Sequence, residues 1–343
     1  MTLAANRHDL VMAAAWSLLL IAGCVPAPPA PLQLTGRTMG TTYSVKLVAP
    51  EGDFDADTLQ RKIDDHLAEI NRQMSTYISD SELSLFNQSE AGDWFSVSRS
   101  LAEIVARAKE INAQSEGAFD VTIGPLVNLW NFGPDHHPEK IPSDEAIAAA
   151  LANVGDAKLA VRLDPPALKK TDDALYVDLS AIAKGYGVDQ IAKLVAASGA
   201  VAYMVEIGGE VRAAGRKPNG SPWRIAIEKP IPGARAIQEI VELSDRSLAT
   251  SGDYRNFFEV DGKTYSHAID PKTGRPLEHA LASVSVLHAD CESADAFATT
   301  LMVLGPEQGY NWAVERELAA LFLVRSQAGP VIRRTPMWPQ PRE

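Results

Sequence analysis

The chain has 343 residues, of which 46% are hydrophobic and 22% charged, enough material for one large core or two ordinary ones. Its 32 basic residues against 44 acidic ones give a formal net charge of −12, and no basic cluster offsets it locally, so nucleic-acid binding is not expected. Two cysteines, Cys24 and Cys291, are too few for a disulfide framework or a Cys-rich zinc site, which leaves oxygen and histidine as the metal donors.

Arg7 and His8 precede an apolar run from Leu10 to Ala22, short for a bilayer span, and Leu20-Ile21-Ala22-Gly23-Cys24 resembles a bacterial lipobox. The pattern predicts a lipoprotein signal peptide over 1–23 and a lipid on Cys24. The protein would then be anchored to a membrane on the periplasmic side of the bacterial envelope. A plain signal peptide with an incidental Cys24, or an uncleaved anchor, is the alternative. Residues 24–36 carry four prolines between Pro26 and Pro31 and read as a semi-rigid spacer.

From there strands and helices alternate. Tyr43, Val45 and Leu47 alternate with polar residues as a half-buried strand does, and Leu59, Ile63, Leu67, Ile70 and Met74 recur at helical spacing. The helical period returns at Leu101–Ile111, Ile147–Val154 and Val188–Val195. Strands are predicted at Leu175–Leu179, Val201–Ile207, Trp223–Ile227, Phe257–Val260 with Lys263–His267, and Ser283–Leu287, where Asp261-Gly262 is a hairpin turn. A helix over Ser293–Leu304 stops at Gly305-Pro306, and Pro306 can start the next. Hairpins with interspersed helices indicate an α+β fold with largely antiparallel sheets, and 333–343 reads as a loose tail.

The chain has no phosphate loop of the G-x-x-x-x-G-K-[ST] type, and Gly185-Tyr186-Gly187 lacks the third glycine of a dinucleotide fold. What stands out is a series of short segments dense in Gly, Asp, Thr and Lys. In Asp178–Tyr186 a strand gives way to a helix, so Lys184 and nearby N–H groups stand at a helix N-terminus. That geometry suits an anion, or is an ordinary turn with a solvated lysine. Asp295 and Thr299, four apart on one helix face, suit Mg²⁺, or are a capping residue and a back-bonded threonine. Asp135-His136-His137 sits in a Pro-rich loop and reads as solvated.

Together Arg37-Thr38-Met39-Gly40-Thr41-Thr42-Tyr43, Gly117-Ala118-Phe119-Asp120, Asp178-Leu179-Ser180-Ala181-Ile182-Ala183-Lys184, Glu206-Ile207-Gly208-Gly209-Glu210, Ser266-His267-Ala268-Ile269-Asp270-Pro271 and Ala294–Thr299 resemble the ApbE family, the periplasmic FAD:protein FMN transferases. The resemblance covers most of the chain and implies a T-fold-like α+β domain over 37–332. It also implies Mg²⁺-dependent transfer of FMN from FAD to a threonine of an acceptor flavoprotein with AMP leaving. Subunits of sodium-pumping NADH:quinone reductase or of Rnf-type complexes are acceptors of this kind. The family pattern places Met39, Tyr77, Ala118, Phe119, Asp120, Asp178, Lys184 and Ile269 around FAD. It places Asp295, Thr299 and the carbonyls of Ala181 and Ala298 around the metal.

Charge accumulates on the pyrophosphate as FMN is transferred, so Lys184 and the metal held at Asp295 are expected to be in place beforehand. His267 is the candidate general base for the acceptor hydroxyl, or else a residue that only contacts flavin. Two other readings share these residues: a Mg²⁺-dependent FAD pyrophosphatase giving FMN and AMP, and a non-catalytic FAD-binding lipoprotein. No Ser/Thr-Gly-Ala-Thr stretch is present, so the chain is not expected to flavinylate itself.

Overall fold

Met39 and Gly40 both adopt positive φ, 49° and 69°, and so close a tight hairpin between β1 (Leu32–Thr38) and β2 (Thr41–Leu47). The structure, a computed structural model, describes residues 31–50, 52–134, 141–231, 236–254, 257–260 and 262–340; the leader, Cys24 and the His136-His137 pair lie outside them.

Chain order continues with α1 (Ala56–Met74), α2 (Glu82–Gln88), β3 (Phe95–Ser96), α3 (Arg99–Gln114), α4 (Gly124–Leu129), α5 (Asp144–Leu151), β4 (Leu159–Leu163), β5 (Pro166–Lys170) and α6 (Ala183–Ala197). The second half contains β6 (Tyr203–Ile207), β7 (Glu210–Ala214), β8 (Trp223–Glu228), β9 (Ile237–Leu243), β10 (Arg246–Gly252), β11 (Phe257–Val260), β12 (Lys263–Ser266), β13 (Leu281–His288), α7 (Cys291–Glu315), β14 (Ala319–Val324) and β15 (Val331–Arg334). An eight-stranded sheet runs β1-β2-β6-β7-β10-β13-β14-β15 with every neighbouring pair antiparallel.

α1, α6 and α7 cover one face of this sheet, with Leu59, Ile63, Val188, Val195, Ala296 and Leu301 among the buried contacts. On the other face the β8–β9 ribbon packs Trp223, Ile227, Val241 and Leu243 against Val211, Leu248 and Leu321. With both faces covered, β13 is buried from Leu281 to Leu287, its two serines included. Gly305, at φ 78°, breaks the helical path inside α7 just before Pro306, where the sequence places the boundary.

Two expectations change. Leu175–Leu179 is extended but joins no ladder beyond an isolated bridge from Tyr176 to Ile123. Its backbone is satisfied by a side chain instead: the Val177 N–H donates to Asn87 Oδ1 at 2.8 Å, the Val177 carbonyl accepts from Asn87 Nδ2 at 2.9 Å, and the Asp178 N–H donates to the Val121 carbonyl at 2.8 Å. Nor do the described residues of the predicted tail, 333–340, run loose. Arg333 and Arg334 belong to β15, Thr335 is buried, and Trp338, only 2% exposed, donates its indole N–H to Glu239 Oε1 at 2.9 Å. An apolar ring buried to this extent outweighs the local prolines that signalled disorder.

Candidate active site

A cleft of about 520 Å³ opens beside the N-termini of α6 and α7. Gly185, next to the cleft-lining Lys184, sits where these two helices cross. A Cβ there would stand 2.3 Å from the Cys291 carbonyl oxygen and 2.8 Å from Asp295 Cβ, so only glycine lets the two helices cross this closely. Asp189, one turn further along α6, accepts from the N–H groups of Cys291 and Glu292 at 2.8 and 2.9 Å and from Arg212 at 2.5 Å, which docks α7 by its N-terminus.

The close crossing has two consequences. The Gly185 N–H donates to Asp295 Oδ2 at 2.9 Å, whereas Tyr186, the next residue, makes the regular helical bond to the Ile182 carbonyl at 3.0 Å. The Ala181 carbonyl is thereby left out of the helical ladder, on the cleft wall. Lys184 also reaches two carboxylates, Glu210 Oε1 at 3.2 Å and Asp295 Oδ1 at 3.5 Å. Lys184 is therefore no solvated lysine. Burial alone would depress its ammonium, but Asp295 and Glu210 overcome this and hold it above the ordinary lysine value. Burial raises the carboxyls of both Glu210 and Asp295, against the pull of Lys184.

Around this cluster the donors are oxygens. Thr299 Oγ1 and Ser251 Oγ lie 3.2 Å apart, and Glu210 Oε2 is buried with no hydrogen-bond partner. Among the described residues no group of three or more His, Cys, Asp or Glu is placed to hold a metal, so a cation here would depend on one carboxylate, a hydroxyl and carbonyls. Such a set suits a hard ion that retains water and ligand oxygens, and the displaced Ala181 carbonyl fits it.

The opposite wall is built from loops. Asp120 Oδ1 accepts from the Thr122 N–H at 2.8 Å and the Thr122 hydroxyl at 2.6 Å, and burial pushes its carboxyl up. Asp178 Oδ1 accepts from the Ser180 N–H at 2.7 Å, a short turn that directs the chain into α6. His267 follows β12 and meets Phe132 edge-on, with ring centroids 6.2 Å apart. Ile269 lies two residues further on, where Trp130 pins the following turn through a 2.8 Å bond to the Gly274 carbonyl.

Of the residues expected from sequence, Ala118, Phe119, Asp120, Asp178, Ala181, Lys184, His267, Ile269, Asp295 and Thr299 all line this cleft. Met39, Tyr77 and Ala298 do not. Met39 packs at the hairpin turn against Gly187 of α6, and Ala298 is buried within α7. Tyr77 is 65% exposed and donates to the Phe132 carbonyl at 3.2 Å. Sequence reading assigned no role to Glu210, Ser251 or Asp189. For Glu210 the available signal was its place directly after Gly208-Gly209, a turn with φ of 61° and 110° that starts β7.

The sequence profile of the ApbE family matches residues 39–322. A FAD:protein FMN transferase of Vibrio cholerae is 49% identical over 313 residues, covering 91% of this chain and 93% of that protein, and one of Haemophilus influenzae is 44% identical over 88% and 89%. The structure of the flavin transferase ApbE from V. cholerae superposes with a TM-score of 0.84 at 47% identity, covering 90% of this chain and 99% of that one. The ApbE protein of Thermotoga maritima retains a TM-score of 0.81 at 26% identity, covering 89% and 97%. The chain belongs to the ApbE family.

Proposed function

We propose that this protein transfers the FMN half of FAD to a threonine hydroxyl of an acceptor flavoprotein and releases AMP. The observation that carries this reading is the convergence of Lys184, Asp295, Thr299 and His267 on one cleft, together with relatives named for the same reaction. In the reaction the acceptor oxygen bonds to the FMN-side phosphorus, the bond to the bridging pyrophosphate oxygen breaks, AMP departs with that oxygen, and the hydroxyl proton passes to a base.

Asp295, Thr299 and the Ala181 carbonyl would hold Mg²⁺. When bound, the ion supplies positive charge to the pyrophosphate oxygens. Lys184, already fixed by two carboxylates, adds a second cation without reorganising. Asp120, Asp178, Phe119 and Ile269 shape the flavin nucleotide's seat, and His267 takes the acceptor proton at the cleft wall. Incubating the protein with FAD, Mg²⁺ and an acceptor carrying a Ser-Gly-Ala-Thr stretch should raise the acceptor mass by one FMN less one water for each AMP formed. FMN and AMP appearing with no change in acceptor mass would replace transfer by hydrolysis.

The lipobox-like Leu20–Cys24 supports anchoring on the periplasmic side of the envelope, where an acceptor subunit of a membrane redox complex would be within reach. Cys24→Ser should move the protein from the detergent phase to the aqueous phase; retention in detergent with the leader removed contradicts the anchor.

A further inference from the structure

Glu210 combines features that the fold does not require of it. It is 4% exposed, it carries one of the buried side-chain atoms without a partner, Oε2, and its other oxygen is held by Lys184. A buried carboxylate serving the fold alone would have its lone pairs filled by N–H or O–H donors, as Asp189 does with Cys291, Glu292 and Arg212. The lysine is also guided from below: a Cβ at Gly208, which has φ 61°, would stand 3.3 Å from Lys184 Cδ, so the turn leading into Glu210 leaves just enough room for the lysine stem.

Lys184 therefore stands between two buried carboxylates, nearer to Glu210 at 3.2 Å than to Asp295 at 3.5 Å. We infer that Glu210 is a positioning residue, holding the Lys184 ammonium away from Asp295 so that the Asp295 carboxylate can take a divalent cation. This rests on the metal reading of Asp295 given above. Without the Glu210 charge, Lys184 has one anionic partner left. The two would close into a neutral pair, and an arriving cation would have to displace an ammonium already bound at the same oxygens. With Glu210 present the ammonium is shared between two carboxyl groups, and the Asp295 oxygens are not committed to a closed pair with it.

Mn²⁺ binding to the full-length protein in detergent, followed by loss of the free-ion electron paramagnetic resonance signal, tests this without turnover. Glu210→Gln should weaken Mn²⁺ binding at least about tenfold, and Lys184→Met/Glu210→Gln should return it to within about threefold of the wild type, because the competing ammonium is gone. Circular dichroism melts confirm that each variant is folded. Equal Mn²⁺ affinity in wild type and Glu210→Gln overturns the inference. A loss that the double variant does not recover overturns it as well, since Glu210 would then act on the ion directly or through the fold. Absence of Mn²⁺ binding to the wild type removes the metal reading and this inference together, whereas loss of binding in Asp295→Ala with no effect of Glu210→Gln removes the inference alone.

Discussion

Lys184, Glu210 and Asp295 are held by α6, β7 and α7 against the eight-stranded sheet, whereas His267 stands at the end of the separate two-stranded β11–β12 ribbon. The first group sits where two helices touch through a glycine and where backbone N–H groups and side chains are cross-linked. The second is supported by stacked rings, with Phe258 and Tyr265 5.3 Å apart and Trp130 and Tyr265 5.8 Å apart, in a small satellite core. Fixed charge must be in place before a phosphate arrives, and any relaxation of it costs rate; a proton acceptor has only to meet a hydroxyl that arrives with a second protein. Changes in the first region should therefore couple chemistry to stability, and changes in the second should not.

Asp295→Ala breaks the comparison at its strongest point. It removes the candidate metal carboxylate and leaves the Gly185 N–H without its acceptor. AMP release should fall by at least about 10⁴-fold, equivalent to about 5.5 kcal/mol of transition-state stabilisation. The unfolding free energy should fall as well, by roughly 1–3 kcal/mol for the orphaned buried N–H. Rapid-quench assays and urea titrations measure the two effects, and a fully stable but inactive variant would separate what the structure joins.

His267→Gln is the counterpart. Saturated transfer should drop by about 10²–10⁴-fold, the range for one general base, with FAD affinity and melting temperature almost unchanged. Weaker FAD binding at an unchanged saturated rate would make His267 a flavin contact only.

Much of this was legible in the sequence, for a definite reason. Periodicity located α1, α3, α5, α6 and the first part of α7, because each buries apolar residues at helical spacing, α1, α6 and α7 against the large sheet, α3 against β4 and β5, and α5 beside α4. The short Gly- and Asp-rich segments marked the cleft because turns and helix starts have local chemical requirements. The pairing of Lys184 with Glu210 was not legible, since it depends on how β7 aligns beside α6, which no local pattern encodes. The packing of 335–338 is illegible for a similar reason: prolines signal a loop, and nothing nearby shows that Trp338 fills a hollow between β9 and the sheet. Trp338→Ala should cost about 3–5 kcal/mol, as core Trp truncations do. Its transfer rate per folded molecule should remain near wild type, which sets this distant face apart from the floor of the cleft.

The smallest expected effect concerns the edge of the rigid region. Glu292, in the first turn of α7, has its carboxyl pushed up to about 7, first by burial and then by crowding from Asp189 and Asp290, against the pull of Arg107 and Lys193. A folded-state value above the ordinary 4.5 means that the folded protein holds this proton more tightly than the unfolded chain does. The carboxyl is neutral in both states below that lower value and costs nothing. The penalty grows as pH rises through the interval and is complete above about 7, where it amounts to roughly 2 kcal/mol after allowance for part exposure. Glu292→Gln should therefore match the wild type near pH 4 and exceed it in stability near pH 8, with transfer unaffected at either pH. Urea midpoints at the two pH values measure this. A variant no more stable than the wild type at pH 8 would mean that the ionised carboxylate is stabilised where it stands, by the N-terminal dipole of α7 and by Arg107, and that this end of the helix carries no surplus of negative charge.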